Sequence, residues 1–208
     1  DQLLNSLSDY SKHLPDILFL DLSMPRKTGF ECLNEIKENE KLAIEQSRDQ
    51  QGWLKTRSGS GTAIVKRLTL QDQISGEEVA AAQVGQALQL VCDVEVLGSI
   101  PELVLGMMLR DKQGSVIWGS NTWHTGQLQT NLNAGDSLRY VLPVNCNLGP
   151  GSYSVTTALT RGESHLDQNF EWSDNLLVFD VINVDKAIFI GSQWLDTTFS
   201  VALTRQAD

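Results

Sequence analysis

The sequence predicts a mainly β protein: an antiparallel β-sandwich over residues 62–208, preceded by a short α/β segment. Three observations carry this reading. Beyond Thr62, apolar and polar residues alternate with period two in one run after another. Turn-forming clusters separate the runs, at Asp111-Lys112-Gln113-Gly114, Asn133-Ala134-Gly135-Asp136 and Gly149-Pro150-Gly151. Before residue 42 the pattern is different, a helical stripe, an apolar run and a second helical stripe.

Taken in order, Leu3, Leu4, Leu7 and Tyr10 repeat at helical spacing. Ile17-Leu18-Phe19-Leu20-Asp21-Leu22 reads as a buried strand. Phe30, Leu33 and Ile36 again share a helical stripe. Residues 1–44 therefore read as part of an α/β fold. Residues 45–61 read as a linker, polar over 45–51 and closing on the flexible run Ser58-Gly59-Ser60-Gly61. In the β region Leu88, Leu90, Cys92, Val94 and Val96 share one strand face, with Gln89, Asp93 and Glu95 on the other. Leu138, Tyr140, Leu142, Val144 and Cys146 repeat the pattern, as do Tyr153, Val155, Thr157 and Leu159. About eight short strands with this spacing make a sandwich. Residues 187–190 and 198–203 read as late apolar strands that need a partner or a cover.

Composition excludes several functions. The 208 residues are 41% hydrophobic, so a core can form, and carry a net charge of −10. That charge argues against nucleic acid and against an anionic membrane surface. No apolar run reaches the roughly 20 residues of a membrane helix. No basic stretch followed by an apolar run opens the chain, so no signal peptide is expected. Three cysteines, Cys32, Cys92 and Cys146, are an odd and sparse set that favours free thiols in a reducing compartment. No phosphate loop, zinc spacing or nucleophile elbow is present, so neither a cofactor nor a metal is expected. Glu163, Asp167, Glu171 and Asp174 read as solvated charges rather than as a glycosidase acid pair. The chain is expected to bind without catalysing.

The residues point to carbohydrate. Sugars are held by aromatic rings against their apolar faces and by polar side chains on their hydroxyls. Asn121, Trp123 and His124 supply that mixture in one short stretch, and Trp172, Asp174 and Asn175 supply it in another. Trp123 stands among polar residues and is the stacking candidate. Trp118 follows Val116 and Ile117 and is expected in the core.

Two resemblances extend this reading. Pro15-Asp16-Ile17-Leu18-Phe19-Leu20-Asp21-Leu22-Ser23-Met24-Pro25, with Gly29-Phe30-Glu31, resembles the middle of a response-regulator receiver domain over residues 1–42. The resemblance implies that Asp21 is the phosphoacceptor. The acidic pair that holds Mg²⁺ and the later lysine of such a site have no counterpart here, so Asp21 is expected not to be phosphorylated.

The second resemblance covers residues 60–205. Its blocks are Leu105-Gly106-Met107-Met108-Leu109-Arg110-Asp111 with Val116-Ile117-Trp118-Gly119-Ser120, residues 145–160 around Gly149-Pro150-Gly151, and residues 172–181. Together they resemble the C-terminal domain of Wzt-type ATPase subunits of polysaccharide ABC transporters. The resemblance implies an immunoglobulin-like sandwich that recognises an O-antigen-type glycan in the cytoplasm. It implies a place at the inner face of the plasma membrane, beside a transporter membrane subunit. Because transporter ATPases work in pairs, it also implies a homodimer. Two alternatives remain at this stage: an interaction sandwich without a ligand, and a two-component signalling protein driven by Asp21.

Overall fold

The computed structural model describes residues 44–48, 52–162 and 168–204. The receiver-like segment, Asp21 included, lies outside the described residues, apart from Ile44. So do Glu163, His165 and Asp167.

Among the described residues there is no helix, and eleven strands form two antiparallel sheets that pack as a sandwich. The smaller sheet runs β3 (Ala63–Asp72), β5 (Ala87–Val96), β9 (Ser137–Asn145). The larger runs β1 (Ile44–Arg48), β2 (Leu54–Ser58), β11 (Gln168–Ile182), β10 (Gly151–Arg161), β6 (Ile100–Asp111), β7 (Val116–Asn121). Beside it, β4 (Ala81–Gln83) lies parallel to β11, and β8 (Gln129–Leu132) pairs with β6.

The alternation read from the sequence builds the core. Leu88, Leu90, Cys92, Val94 and Val96 of β5 are all buried, as are Leu103, Leu105 and Met107 of β6 and Tyr153, Val155 and Leu159 of β10. Cys92 and Cys146 are both buried free thiols, and burial pushes the Cys92 thiol up to about 12.

Two parts of the chain depart from the sequence reading. Residues 45–61 are not a plain linker, because they hold β1 and β2. Ser58, Arg57 and Thr56 of β2 pair with Trp172, Ser173 and Asp174 of β11. The polar character that reads as a linker is taken up by partners. The Thr56 hydroxyl donates to Asp174 Oδ2 at 2.7 Å, and Arg57 Nε meets Glu171 Oε2 at 2.9 Å. The turn after β2 brings Gly59, at φ +131°, so close to β11 that a Cβ would sit 2.5 Å from the Phe170 carbonyl oxygen. Only glycine passes there.

The second departure is at the C-terminal end. Residues 187–190 and 198–203 are not strands. The segment is tied down by Trp194 N donating to Asn147 O at 2.7 Å and Gly149 N donating to Ser192 O at 2.9 Å. Beyond that tie, among the described residues, no strand pairs with it, and Phe199, Val201 and Leu203 stand 99%, 90% and 78% exposed.

A buried carboxylate joins the two sheets. Glu171 of β11 is 2% exposed. Its Oε1 accepts the Val65 amide of β3 at 3.1 Å and the Ser173 hydroxyl at 3.1 Å. Arg57 completes the link by donating Nη2 to the Val65 carbonyl at 2.8 Å. Val65 lies at a register shift in the β3–β5 ladder, so side chains replace ladder partners there. Burial raises the Glu171 carboxyl above its ordinary 4.5, opposed by the Val65 amide and Arg57.

Two outcomes follow from this link. Arg57→Ala leaves the buried carboxylate without its cation. Because Arg57 itself is 40% exposed, the expected loss is about 1–2 kcal/mol rather than the 3–5 of a fully buried pair; urea unfolding measures it. The pH dependence has a defined sign. A carboxyl raised in the folded state contributes most stability when protonated, so its contribution falls as pH climbs from 4.5 through the raised value. Asp72 moves oppositely: the Ser75 amide and Gln86 lower it to about 2, so its contribution is lost below 3.8, outside the Glu171 window. Thermal melts from pH 4.5 upward should therefore show a declining component in the wild type that Glu171→Gln lacks.

Candidate glycan-binding trough

The strand register builds a trough on the outer face of the larger sheet. One cross-strand row runs Asn121, Gly106, Ala158, Trp172 through β7, β6, β10 and β11. The two central positions have almost no side chain, and the two ends carry an amide and an indole. The row beside it is Gly119, Met108, Thr156. Thr160 and Val104, paired across β10 and β6, extend the floor the other way. The resulting depression holds about 350 Å³.

His124 reaches the trough from the turn after β7. Its amide donates to Asn121 Oδ1 at 2.9 Å, and Gln127 N donates to Thr122 O at 2.7 Å. The turn is anchored to β6 by Leu105 N donating to the Thr122 hydroxyl at 3.0 Å.

The six residues named from the sequence divide into two groups. Asn121, His124 and Trp172 line this one trough, although 48 or more positions separate the first two from the third in the chain. Trp123, Asp174 and Asn175 do not line it. Trp123 is 41% exposed on the turn. Asp174 accepts the Thr56 hydroxyl at 2.7 Å and the Thr156 hydroxyl at 3.3 Å. Asn175, at φ 49°, sits at a register shift between β10 and β11 and donates Nδ2 to the Leu54 carbonyl at 2.9 Å. The last two thus hold β2 and β10 to β11 and shape the strand that carries Trp172.

Trp118 is a correction. It is not a core residue but 42% exposed. Its register partner Leu109 places it on the inner face of β7, yet β7 is an edge strand, so the indole stands at the open side of the sandwich. There it borders one cleft of about 600 Å³ and a second of about 370 Å³ that includes Ser120, Thr122, Gln129 and Tyr140. Burial pushes the Tyr140 phenol up to about 12.

The sequence reading missed the floor: Gly106, Met108, Gly119, Thr156, Ala158 and Thr160. A signal existed in Leu105-Gly106-Met107-Met108, because a glycine inside an apolar strand marks close approach by something else. Among the described residues no group of His, Cys, Asp and Glu is arranged to hold a metal ion, and no helix is long and apolar enough to cross a membrane.

Comparison with known proteins bears on this arrangement. The crystal structure of the C-terminal domain of Wzt superposes with a TM-score of 0.60 at 17% identity, covering 71% of this chain and 89% of that one. A Niemann-Pick type C2 protein from Japanese carpenter ant gives a TM-score of 0.41 at 5% identity, over 58% of this chain and 93% of that one. No curated protein matches the sequence. The sequence profile of the Wzt C-terminal domain matches residues 55–195, from within β2 to just past the Ser192–Trp194 tie. The chain therefore belongs to the Wzt C-terminal domain family.

Proposed function

We propose that this chain is the recognition domain of a polysaccharide ABC transporter, and that it binds an O-antigen-type glycan in the outer trough without chemistry. The observation that carries the reading is the cross-strand row Asn121, Gly106, Ala158, Trp172. A sugar ring laid on Gly106 and Ala158 meets the indole at one end and the amide at the other. Stacking supplies apolar burial, and Asn121 and His124 supply hydroxyl partners. A rigid sheet holds these groups, so little entropy is lost when the ligand settles. Family membership supports the transporter context, with the chain at the cytoplasmic face beside a membrane subunit. Trp123, Asp174 and Asn175 stay within the proposed surface as rim and support.

A homodimer fits the same reading. Ile188, Ile190, Phe199, Val201 and Leu203 are all at least 78% exposed, an apolar run that a second copy would cover.

The binding test uses the full chain against a panel of bacterial O-polysaccharides by calorimetry. Trp172→Ala should weaken binding roughly 5- to 100-fold, the worth of one stacked indole. Trp123→Ala should change it much less. Gly106→Val separates folding from binding. A Cβ at Gly106 lies 3.7 Å from the Cβ atoms of Ala158 and Asn121, an ordinary contact. The variant should melt within about 2 °C of wild type and lose binding. Normal binding by Gly106→Val would reject the trough.

For the dimer, light scattering at roughly tens of micromolar should give twice the chain mass, a range in which micromolar association is readily seen. Phe199→Ser combined with Val201→Ser should return it to one chain. A wild type that stays monomeric contradicts the pairing.

A further inference from the structure

We propose that the glycan site continues past the trough, over the open edge of β7 and into the cleft between Trp118 and Tyr140, so that the domain reads a run of several linked sugars. This rests on the reading of the trough as the glycan site.

The strand β7 separates the two depressions. It ends the larger sheet on that side. Its side chains alternate between the two. Gly119 and Asn121, opposite Met108 and Gly106, face the trough, whereas Trp118 and Ser120, opposite Leu109 and Met107, face the cleft. No wall divides them, because Ser120 and Asn121 line both.

The crest between them suits a sugar chain. Gly119 is exposed and has no side chain to block a crossing. Thr122 N donates to Leu105 O at 3.0 Å, which makes that pair a hydrogen-bonded rung of the β6–β7 ladder. Such rungs alternate in an antiparallel ladder, so Ser120 opposite Met107 is the next one. Gly119 falls on a rung of the other kind, and its amide and carbonyl point to the open edge. Sugar hydroxyls both donate and accept, so they pair with both groups of such an edge.

The cleft repeats the chemistry of the trough. It holds about 370 Å³, against about 350 Å³ for the trough. Trp118, which is 42% exposed, and Tyr140 bring aromatic faces to it, and Ser120 and Gln129 bring polar groups. Gln129 donates Nε2 to the Gln127 carbonyl at 3.0 Å, which leaves its Oε1 to accept from a hydroxyl. An indole half open at a sheet edge is an apolar surface that the face of a sugar ring covers.

The test uses fragments of graded length, from a single sugar upward, cut by partial hydrolysis from the O-polysaccharide that the full chain binds tightest. Each is titrated by calorimetry into wild type, Trp172→Ala, Trp118→Leu and Trp118→Phe. Leucine keeps apolar bulk at the edge without an aromatic face, and phenylalanine keeps the face. Wild-type affinity should climb in two stages with length, first as the trough fills and again as the chain crosses β7. Trp118→Leu should remove the second stage, weakening long fragments roughly 3- to 10-fold, the worth of an aromatic face beyond its area, while short ones hold. Trp118→Phe should recover part of that loss, and Trp172→Ala should weaken every length. Long fragments that bind Trp118→Leu as tightly as wild type, a loss equal at every length, or a Trp118→Phe no better than Trp118→Leu overturns the crossing, and weakening by Trp172→Ala then still keeps the trough. Trp172→Ala without effect at any length, or no binding from any polysaccharide of the panel, overturns the glycan reading of the trough together with this inference.

Discussion

A carboxylate almost sealed from water sets the geometry of this domain. Glu171 crosses from the larger sheet to the Val65 amide of the smaller one, and Arg57 closes the link on the Val65 carbonyl. A buried charge is tolerated only when its oxygens are occupied, so β2, which supplies Arg57, must lie against β11. The position of Trp172 follows. Side chains alternate across a strand, so a Glu171 aimed inward sends the next side chain outward, over Ala158. The element that fastens the sandwich thereby aims the indole that walls the trough.

The two faces of the larger sheet use one alternation for different ends. Inward, Leu103, Leu105, Met107, Val155 and Leu159 fill the core. Outward, the same two strands present Gly106, Met108, Thr156, Ala158 and Thr160. Small residues at the centre and larger ones at the ends make a concavity from a sheet that would otherwise be flat. Its lining brings together an indole, an amide, an imidazole, methyls and a thioether.

The sequence made the core strands legible because burial on one face forces period two, as in Leu88 to Val96 and Leu138 to Val144. It made Asn121, His124 and Trp172 legible because aromatic and polar types are informative wherever they stand. It did not reveal that these three meet, since that depends on the order β11, β10, β6, β7. Nor did it reveal β2. Thr56 and Arg57 look like linker residues until their partners, Asp174 and Glu171, are known, and those lie more than a hundred positions away. Trp118 misled because a tryptophan after Val-Ile looks like core, whereas an edge strand leaves its inner face half open. The late apolar runs misled for a related reason: period two marks the capacity to pair, and pairing requires an available edge.

The account centres on the outer trough as the surface that meets a glycan, and hydrogen exchange of the full chain with and without a bound O-polysaccharide tests that most directly. The account predicts slowed exchange concentrated on 104–108, 119–124, 156–160 and 171–173, the strand segments and turn that form the trough. Protection confined to β9 and the cleft beside Trp118, or to the outer face of β3 and β5, would contradict it.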